Sequence, residues 1–228
     1  MLITISILGG TGHEGAGLGL RWAKAGHSII IGSRTKEKAE TAAAELNQRG
    51  SGLPGSGLHP RWVAVRGMDN TSAAKEGEII ILTVPYSAHA ATIETVKDAV
   101  QGKIFVDVTV PLAPPKSRVQ MPPAGSASQE AQALLGPTVK VVAAFQSIGA
   151  EHLKDPDHPI DCDVLVCGDD KEAKATVIRL AADAGMKAWD AGPLANAVIA
   201  EGLPSVLIGL NIKHKVKAAG IKITGIDL

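Results

Sequence analysis

The sequence predicts an α/β protein: a Rossmann-type doubly wound parallel sheet with a small C-terminal α/β domain. Three observations predict it. Runs such as EIIILTVP (78–85) are apolar almost throughout, which marks strands buried on both faces, as in a parallel sheet. Segments with helical periodicity stand between these runs. A Gly-x-Gly-x-x-Gly pattern, Gly10 to Gly15, joins the first run to the first helical segment.

Each element follows in order. Leu2-Ile3-Thr4-Ile5-Ser6-Ile7-Leu8 reads as the first strand, and EGAGLGLRWAKA (14–25) as a helix ending near Gly26. SIIIGSR (28–34) is a second strand, and KEKAETAAAELNQR (36–49), rich in Ala, Glu and Lys, is a strong helix. GSGLPGSGLHP (50–60) has the composition of a loop. RWVAVRG supplies a third strand, and NTSAAKEG a short helix opened by an Asn or Thr cap. EIIILTVP is strand four, SAHAATIETVKDAV (87–100) a helix and KIFVDVTVP (103–111) strand five.

Beyond these, PLAPPKSRVQMPPAGS (111–126) is a long proline-rich loop, SQEAQALLG a helix and TVKVVAAF (138–145) a sixth strand. CDVLVCG (162–168), KEAKATVIRLAADAG (171–185) and MKAWDAG (186–192) repeat strand, helix, strand. ANAVIAEGLPSVLIGLNIKHK (195–215) is a long helix with Pro204 and Gly209 as bends, and GIKITGI a closing strand. The domain boundary falls after residue 143: a nucleotide-binding domain over 1–143 and a smaller domain over 144–228.

Composition excludes several function classes. The 228 residues are 45% hydrophobic, and 23 Lys and Arg balance 23 Asp and Glu. That balance gives no electrostatic grip on nucleic acid or an anionic membrane. No leader pattern stands at the N-terminus, and no apolar run approaches the roughly 18–20 residues of a membrane span. A cytoplasmic protein is expected. Cys162 and Cys167 are five apart in a strand, so they fall on opposite faces and read as packing residues. The histidines show no metal-ligand spacing, and no metal site is expected.

The glycine pattern carries the chemistry. Gly10 suits a tight turn, Gly12 lets backbone approach a pyrophosphate, and Gly15 lets the helix seat close to the strand. The pyrophosphate then meets free N–H groups at a helix N-terminus. An NAD site commonly ends its second strand on an acid that grips the ribose 2′-OH. Here Ser33 and Arg34 stand there, with Lys38 beyond, and no acid lies at 32–36. A carboxylate would repel a 2′-phosphate, whereas Arg with a hydroxyl suits one, so NADP is the expected dinucleotide. Val84, Pro85 and Tyr86, ending strand four, fall where such sheets bind ligands. His89 reads as a lone packing or helix-surface histidine, and Asp169-Asp170 as a helix cap. No residue is assigned as a catalytic acid, base or nucleophile.

ILGGTGHEGAGLGLRWAKAGHSIIIGSR, DVLVCGDDKEAK, DAGPLANA and GIKITGI together resemble the NADPH-dependent coenzyme F420 reductases, the F420H2:NADP oxidoreductases. The likeness covers nearly the whole chain. It implies hydride transfer between NADP(H) on the first domain and a deazaflavin held between the two. By the same resemblance Thr11, Gly12 and His13, with Glu14 in the same turn, meet the phosphates. Ser33, Arg34 and Lys38 hold the 2′-phosphate, Pro85 and Tyr86 flank the cofactor, and Ala150 approaches the nicotinamide. Residues 143–153, with Gln146 and Ile148, form the deazaflavin pocket, and Ala219 adds a C-terminal contact. Gln146 stands where the family often has His, and Gly149 where it often has Pro. These departures keep two alternatives: an NADP-dependent reductase of a flavin, imine or ferric chelate, and a non-catalytic NADP-binding protein. Small-molecule cofactors are the expected partners. The helix ANAVIAEGLPSVLIGLNI, apolar on more than one face, predicts a homodimer.

Overall fold

The computed structural model describes residues 2–51, 62–115 and 118–226; most of the loop read over 50–60 lies outside them. Strand β1 (Thr4–Leu8) leads through the glycine turn into α1 (His13–Lys24), β2 (Ser28–Ser33) and α2 (Lys36–Ser51). Then come β3 (Arg66–Asp69), α3 (Asn70–Glu76), β4 (Ile79–Leu82), α4 (Tyr86–Val96) and β5 (Ile104–Asp107). The proline-rich loop holds a two-stranded ribbon, β6 (Leu112–Ala113) and β7 (Arg118–Val119). The chain continues through α5 (Ala127–Leu135), β8 (Lys140–Ala143), α6 (Ala150–Leu153) and β9 (Asp163–Gly168). It continues with α7 (Lys171–Asp183), β10 (Lys187–Asp190) and α8 (Ala197–His214).

Eight strands form one sheet in the order β10-β9-β8-β5-β4-β1-β2-β3. All neighbours run parallel except β8 and β9. β1 sits between β2 and β4, so the chain reverses its direction of travel across the sheet there and opens a crevice at the carboxyl ends. The sheet is apolar on both faces. Ile5, Ile7, Ile29 and Ile31 meet Leu18, Trp22 and Leu46 of α1 and α2 on one side. Leu8, Ile30, Ile80 and Phe105 meet α3, α4 and α5 on the other. The strands of residues 144–228, β9 and β10, extend this same sheet.

Several expectations need correction. The third strand starts only at Arg66. The backbone N–H of Val65 donates to Asn47 Oδ1 at 2.8 Å, and its carbonyl accepts from Asn47 Nδ2 at 2.9 Å. Both ladder groups are thus taken by α2. The cap of α3 is Asp69, which accepts from Ser72 N at 2.9 Å. GIKITGI forms no strand, because Ile223 N donates to the Asp163 side chain instead of a ladder carbonyl. One helix does reach membrane length: Leu194–His214 is long and apolar enough by composition. It is docked through Ala197, Ala200, Glu201 and Leu207, and the buried Glu201 carboxylate accepts from Ala127 N, Ser128 N and Ser128 Oγ at 2.7–3.0 Å. Three donors at the N-terminus of α5 let this acidic side chain turn inward.

Asp170 caps α7 as expected, accepting from Ala173 N at 2.8 Å. Cys162 and Cys167 are free and buried in the two opposite core layers, as their spacing predicts. Burial first, and neighbouring aspartates after it, push the Cys162 thiol up to about 11.

Candidate active site

The β1–α1 turn presents backbone to the crevice. Gly9 has a φ of 73°, and a Cβ there would stand 2.5 Å from Val84 Cγ1. At Gly15 a Cβ would come within 2.7 Å of Gly10 Cα, so α1 is seated directly on the turn. Gly12 differs, since a Cβ there would meet only Gly9 O, at 3.7 Å. It is the N-cap of α1, and no side chain caps the helix. Open space in front of uncapped helix N–H groups is a cradle for an anion.

A cleft of about 700 Å³ runs along the carboxyl ends of β2, β1, β4, β5 and β8. At the β2 end it is lined by Ser33, Arg34 and Lys38, and at the turn by Thr11, Gly12, His13 and Glu14. Val84, Pro85, Thr109, Phe145 and Gln146 line the far end. A second cavity of about 440 Å³ joins the β2 end and shares Ser33, Arg34, Asn70 and Thr92 with it. Arg34 and Lys38 are exposed and have no carboxylate partner among the described residues. Among the described residues Glu14 Oε1, Asn70 Oδ1 and Gln146 Oε1 are buried without a hydrogen-bond partner, and all three residues line the cleft. Buried orphan acceptors are costly and call for donors from a ligand. The cradle, the unpaired cations and these acceptors together fit a phosphorylated dinucleotide.

Not every anticipated residue reaches the cleft. Gly10 and Gly15 lie buried beneath the turn. Tyr86 is turned away from the cleft, because its hydroxyl donates to Glu130 Oε2 at 3.0 Å. Ile148 is in the core. Ala150 opens α6, and Ala219 N donates to Asn211 Oδ1 at 2.9 Å; neither lines the cleft. Gln146 does line it: one N–H of its Nε2 donates to the Asp107 carbonyl at 2.8 Å, and its Oε1 has no partner among the described residues.

The residues before these are the surprise. Phe145 has a φ of 73°, an outlier for a bulky residue, and packs edge-on to Trp22 at 5.7 Å. That turn is what swings Gln146 into the cleft. Asn70, Thr109 and Val110 line it as well. The rule that ligands gather at carboxyl ends could have found these three, since they follow β3 and β5.

The model of a family described as NADP oxidoreductase coenzyme F420-dependent matches residues 4–111. The chain is 45% identical over 233 residues to the F420-dependent NADP reductase of Methanocaldococcus jannaschii, covering 98% of this chain and 99% of that relative. It belongs to the F420-dependent NADP oxidoreductase family. A second member, from Methanothermobacter marburgensis, is 38% identical over 97% of this chain and 98% of its own. In fold, the chain matches a solved structure from Arthrobacter sp. FB24, described as a candidate F420-dependent NADP-reductase. That match has a TM-score of 0.78 at 24% identity over 98% of this chain and 100% of that one. The family resemblance carried by the glycine turn and by residues 163–174 is borne out.

Within this family site, Glu14 has a distinctive charge state. Burial pushes its carboxyl up to about 8, so at neutral pH it is mostly a neutral acid in the cleft wall. A folded-state value raised above the unfolded one gives stability that is present at acid pH and lost as pH rises from about 4.5 to about 8. Glu14→Gln should therefore match the wild type at low pH and exceed its thermal midpoint on the alkaline side of that window. Parallel melting curves across the window check this; identical curves would show Glu14 to be solvated.

Proposed function

We propose that the protein transfers hydride directly between NADP(H) and the deazaflavin coenzyme F420. The observation that carries this reading is similarity along essentially the whole chain to reductases named for both substrates. Ser33, Arg34 and Lys38 hold the 2′-phosphate at the β2 end, while Thr11, Gly12 and His13 meet the pyrophosphate at the start of α1. Val84 and Pro85 flank the nicotinamide side. Gln146 offers its free acceptor to the deazaflavin, and residues 144–228 close that end of the cleft. His152 Nε2 lies 2.9 Å from Ala218 O, so the α6 turn and the C-terminal tail stand together. We assign Ala150 and Ala219 to this rim.

The two coenzymes supply the redox chemistry, carbon to carbon, without a protein acid or base. The chain orients them and keeps water out, so no catalytic residue is assigned. The test is direct. Protein, NADPH and oxidised F420 are mixed and the deazaflavin absorbance is followed, with free flavin as a parallel acceptor. F420 should be reduced; reduction of flavin alone would favour the other-acceptor reading.

We also propose a homodimer through α8. Ile199, Val206 and Leu210 are 63%, 58% and 42% exposed and share one helix face. An apolar face of this kind marks an interaction surface. Sedimentation at micromolar protein should give twice the chain mass, and Val206→Glu should give monomers. A wild-type monomer would remove the dimer and leave the fold untouched. Free, unbridged Cys162 and Cys167 fit a reducing cytoplasm. The balanced charge of the chain supports small-molecule partners over nucleic acid or membrane.

A further inference from the structure

A chain of polar side chains lies behind the far end of the cleft and has no part in the reading above. His89 on α4 is wholly buried between Asp107, at the end of β5, and Glu130 on α5. This corrects the expectation of a lone histidine. Its Nε2 is 2.7 Å from Asp107 Oδ2, and its Nδ1 is 3.3 Å from Glu130 Oε1. An ionised carboxylate can only accept. A neutral imidazole has one N–H and would turn a bare lone pair on one of the two; an imidazolium donates to both. Burial pulls the ring's pKa down, but hydrogen bonds and charge from Asp107 and Glu130 outweigh it and leave the ring above its usual value.

Asp107 connects this ring to the cleft wall. Its Oδ1 accepts from Thr109 N at 3.0 Å, and its backbone carbonyl accepts from Gln146 Nε2 at 2.8 Å. Thr109 and Gln146 line the cleft, whereas Asp107 and His89 do not. We propose that His89 is a positioning residue: an imidazolium bridging Asp107 and Glu130, it holds the end of β5 to which Gln146 is tied at the cleft wall. Assigning that end to the hydride acceptor rests on the proposed function; the bridge itself does not.

Two other titratable groups face the network. Tyr86 donates to Glu130 from α4, and its hydroxyl is pushed up to about 12, chiefly by burial, so it stays neutral. Glu201, on α8, is pushed up to about 7 by burial and by Asp107. Because Glu14 and Glu201 titrate near neutrality, an activity–pH curve would mix their effects with that of His89. The charge of the ring must be read directly.

The experiment has two arms. In spectra of protein carrying 15N-labelled histidine, the signal missing from His89→Gln should show both ring nitrogens protonated at about pH 7. A single neutral tautomer there overturns the bridge. Kinetics of His89→Gln should show the acceptor KM raised about fivefold, the loss of roughly one hydrogen bond, with NADP(H) affinity changed by less than about twofold. Equal effects on both substrates, or none, overturn the positioning role. Asp107→Asn, which keeps the shape and removes the charge, should reproduce the split and replaces His89→Gln in the kinetics if that variant fails to fold; the histidine signal that shifts most in it then identifies His89 in the spectra of the wild type. Kinetics use whichever acceptor the wild type reduces. A wild type inactive on F420 but active on flavin thus fails the functional reading alone.

Discussion

Arg34→Ala should abolish most of the preference for NADP(H) over NAD(H). The wild type is expected to bind NADP(H) at least about tenfold more tightly, a difference of about 1.4 kcal/mol or more. Arg34 stands at the mouth of the cleft beside the buried Ser33, exposed and with no carboxylate partner among the described residues. Its charge is therefore uncommitted among the described residues. A guanidinium forks onto a phosphate with two parallel hydrogen bonds, and a ribose hydroxyl offers no such partner. Removing it should weaken NADP(H) and leave NAD(H) nearly unchanged. Dissociation constants for both dinucleotides, measured at one salt concentration, decide the matter. Equal wild-type affinities would defeat the assignment, and a variant that loses both would make Arg34 a structural residue.

Arg21→Met should cost about 3 kcal/mol of stability, by leaving buried carbonyls without donors. Arg21 lies on α1 with only 4% of its surface exposed. Its Nη1 donates to Ala184 O at 3.0 Å. Its Nη2 donates to the carbonyls of His152, Asp155 and His158 at 2.7–2.8 Å. Methionine fills comparable volume but cannot donate, so the stretch around and after α6 loses its tether to α1. For a chain of this length the midpoint should fall by about 6–12 °C. Calorimetry of the two proteins provides the check. A fall of less than about 2 °C would mean that water replaces the guanidinium at little cost.

These two arginines also show what could be read from the chain and what could not. The place of Arg34 in the cleft was legible, because it stands at the end of a recognisable strand that neighbours the glycine turn. β4 was legible because an unbroken apolar run has few other uses in a protein of this composition, and β1 because it leads straight into the glycine pattern. Arg21, inside EGAGLGLRWAKA, carries no local sign of burial; only carbonyls brought from residues 152–184 make it a buried hub. The same holds for His89, whose partners arrive on β5 and α5. Val65 belongs to an apolar-looking strand, yet the Asn47 amide captures its backbone. Phe145 gives no local sign of its positive φ, since nothing but Trp22 and the surrounding core compels it. Local pattern reveals strands and motifs; contacts made across the fold decide which polar groups go inside.

The place of β1 in the sheet has a kinetic consequence. Its flank toward β2 closes across one helix, but its other flank pairs Ile5 with Ile79 and Leu8 with Leu82, and β5 likewise waits for β8. Such distant pairings must meet the entropy of loop closure before any contact rewards them. Folding should accordingly be slow for the size of the molecule, in the range typical of topologies with high contact order. Until β4 arrives, the apolar edge of β1 is bare and open to pairing with another chain. The arrangement that creates the crevice in the finished protein is therefore also its main point of exposure to aggregation during folding.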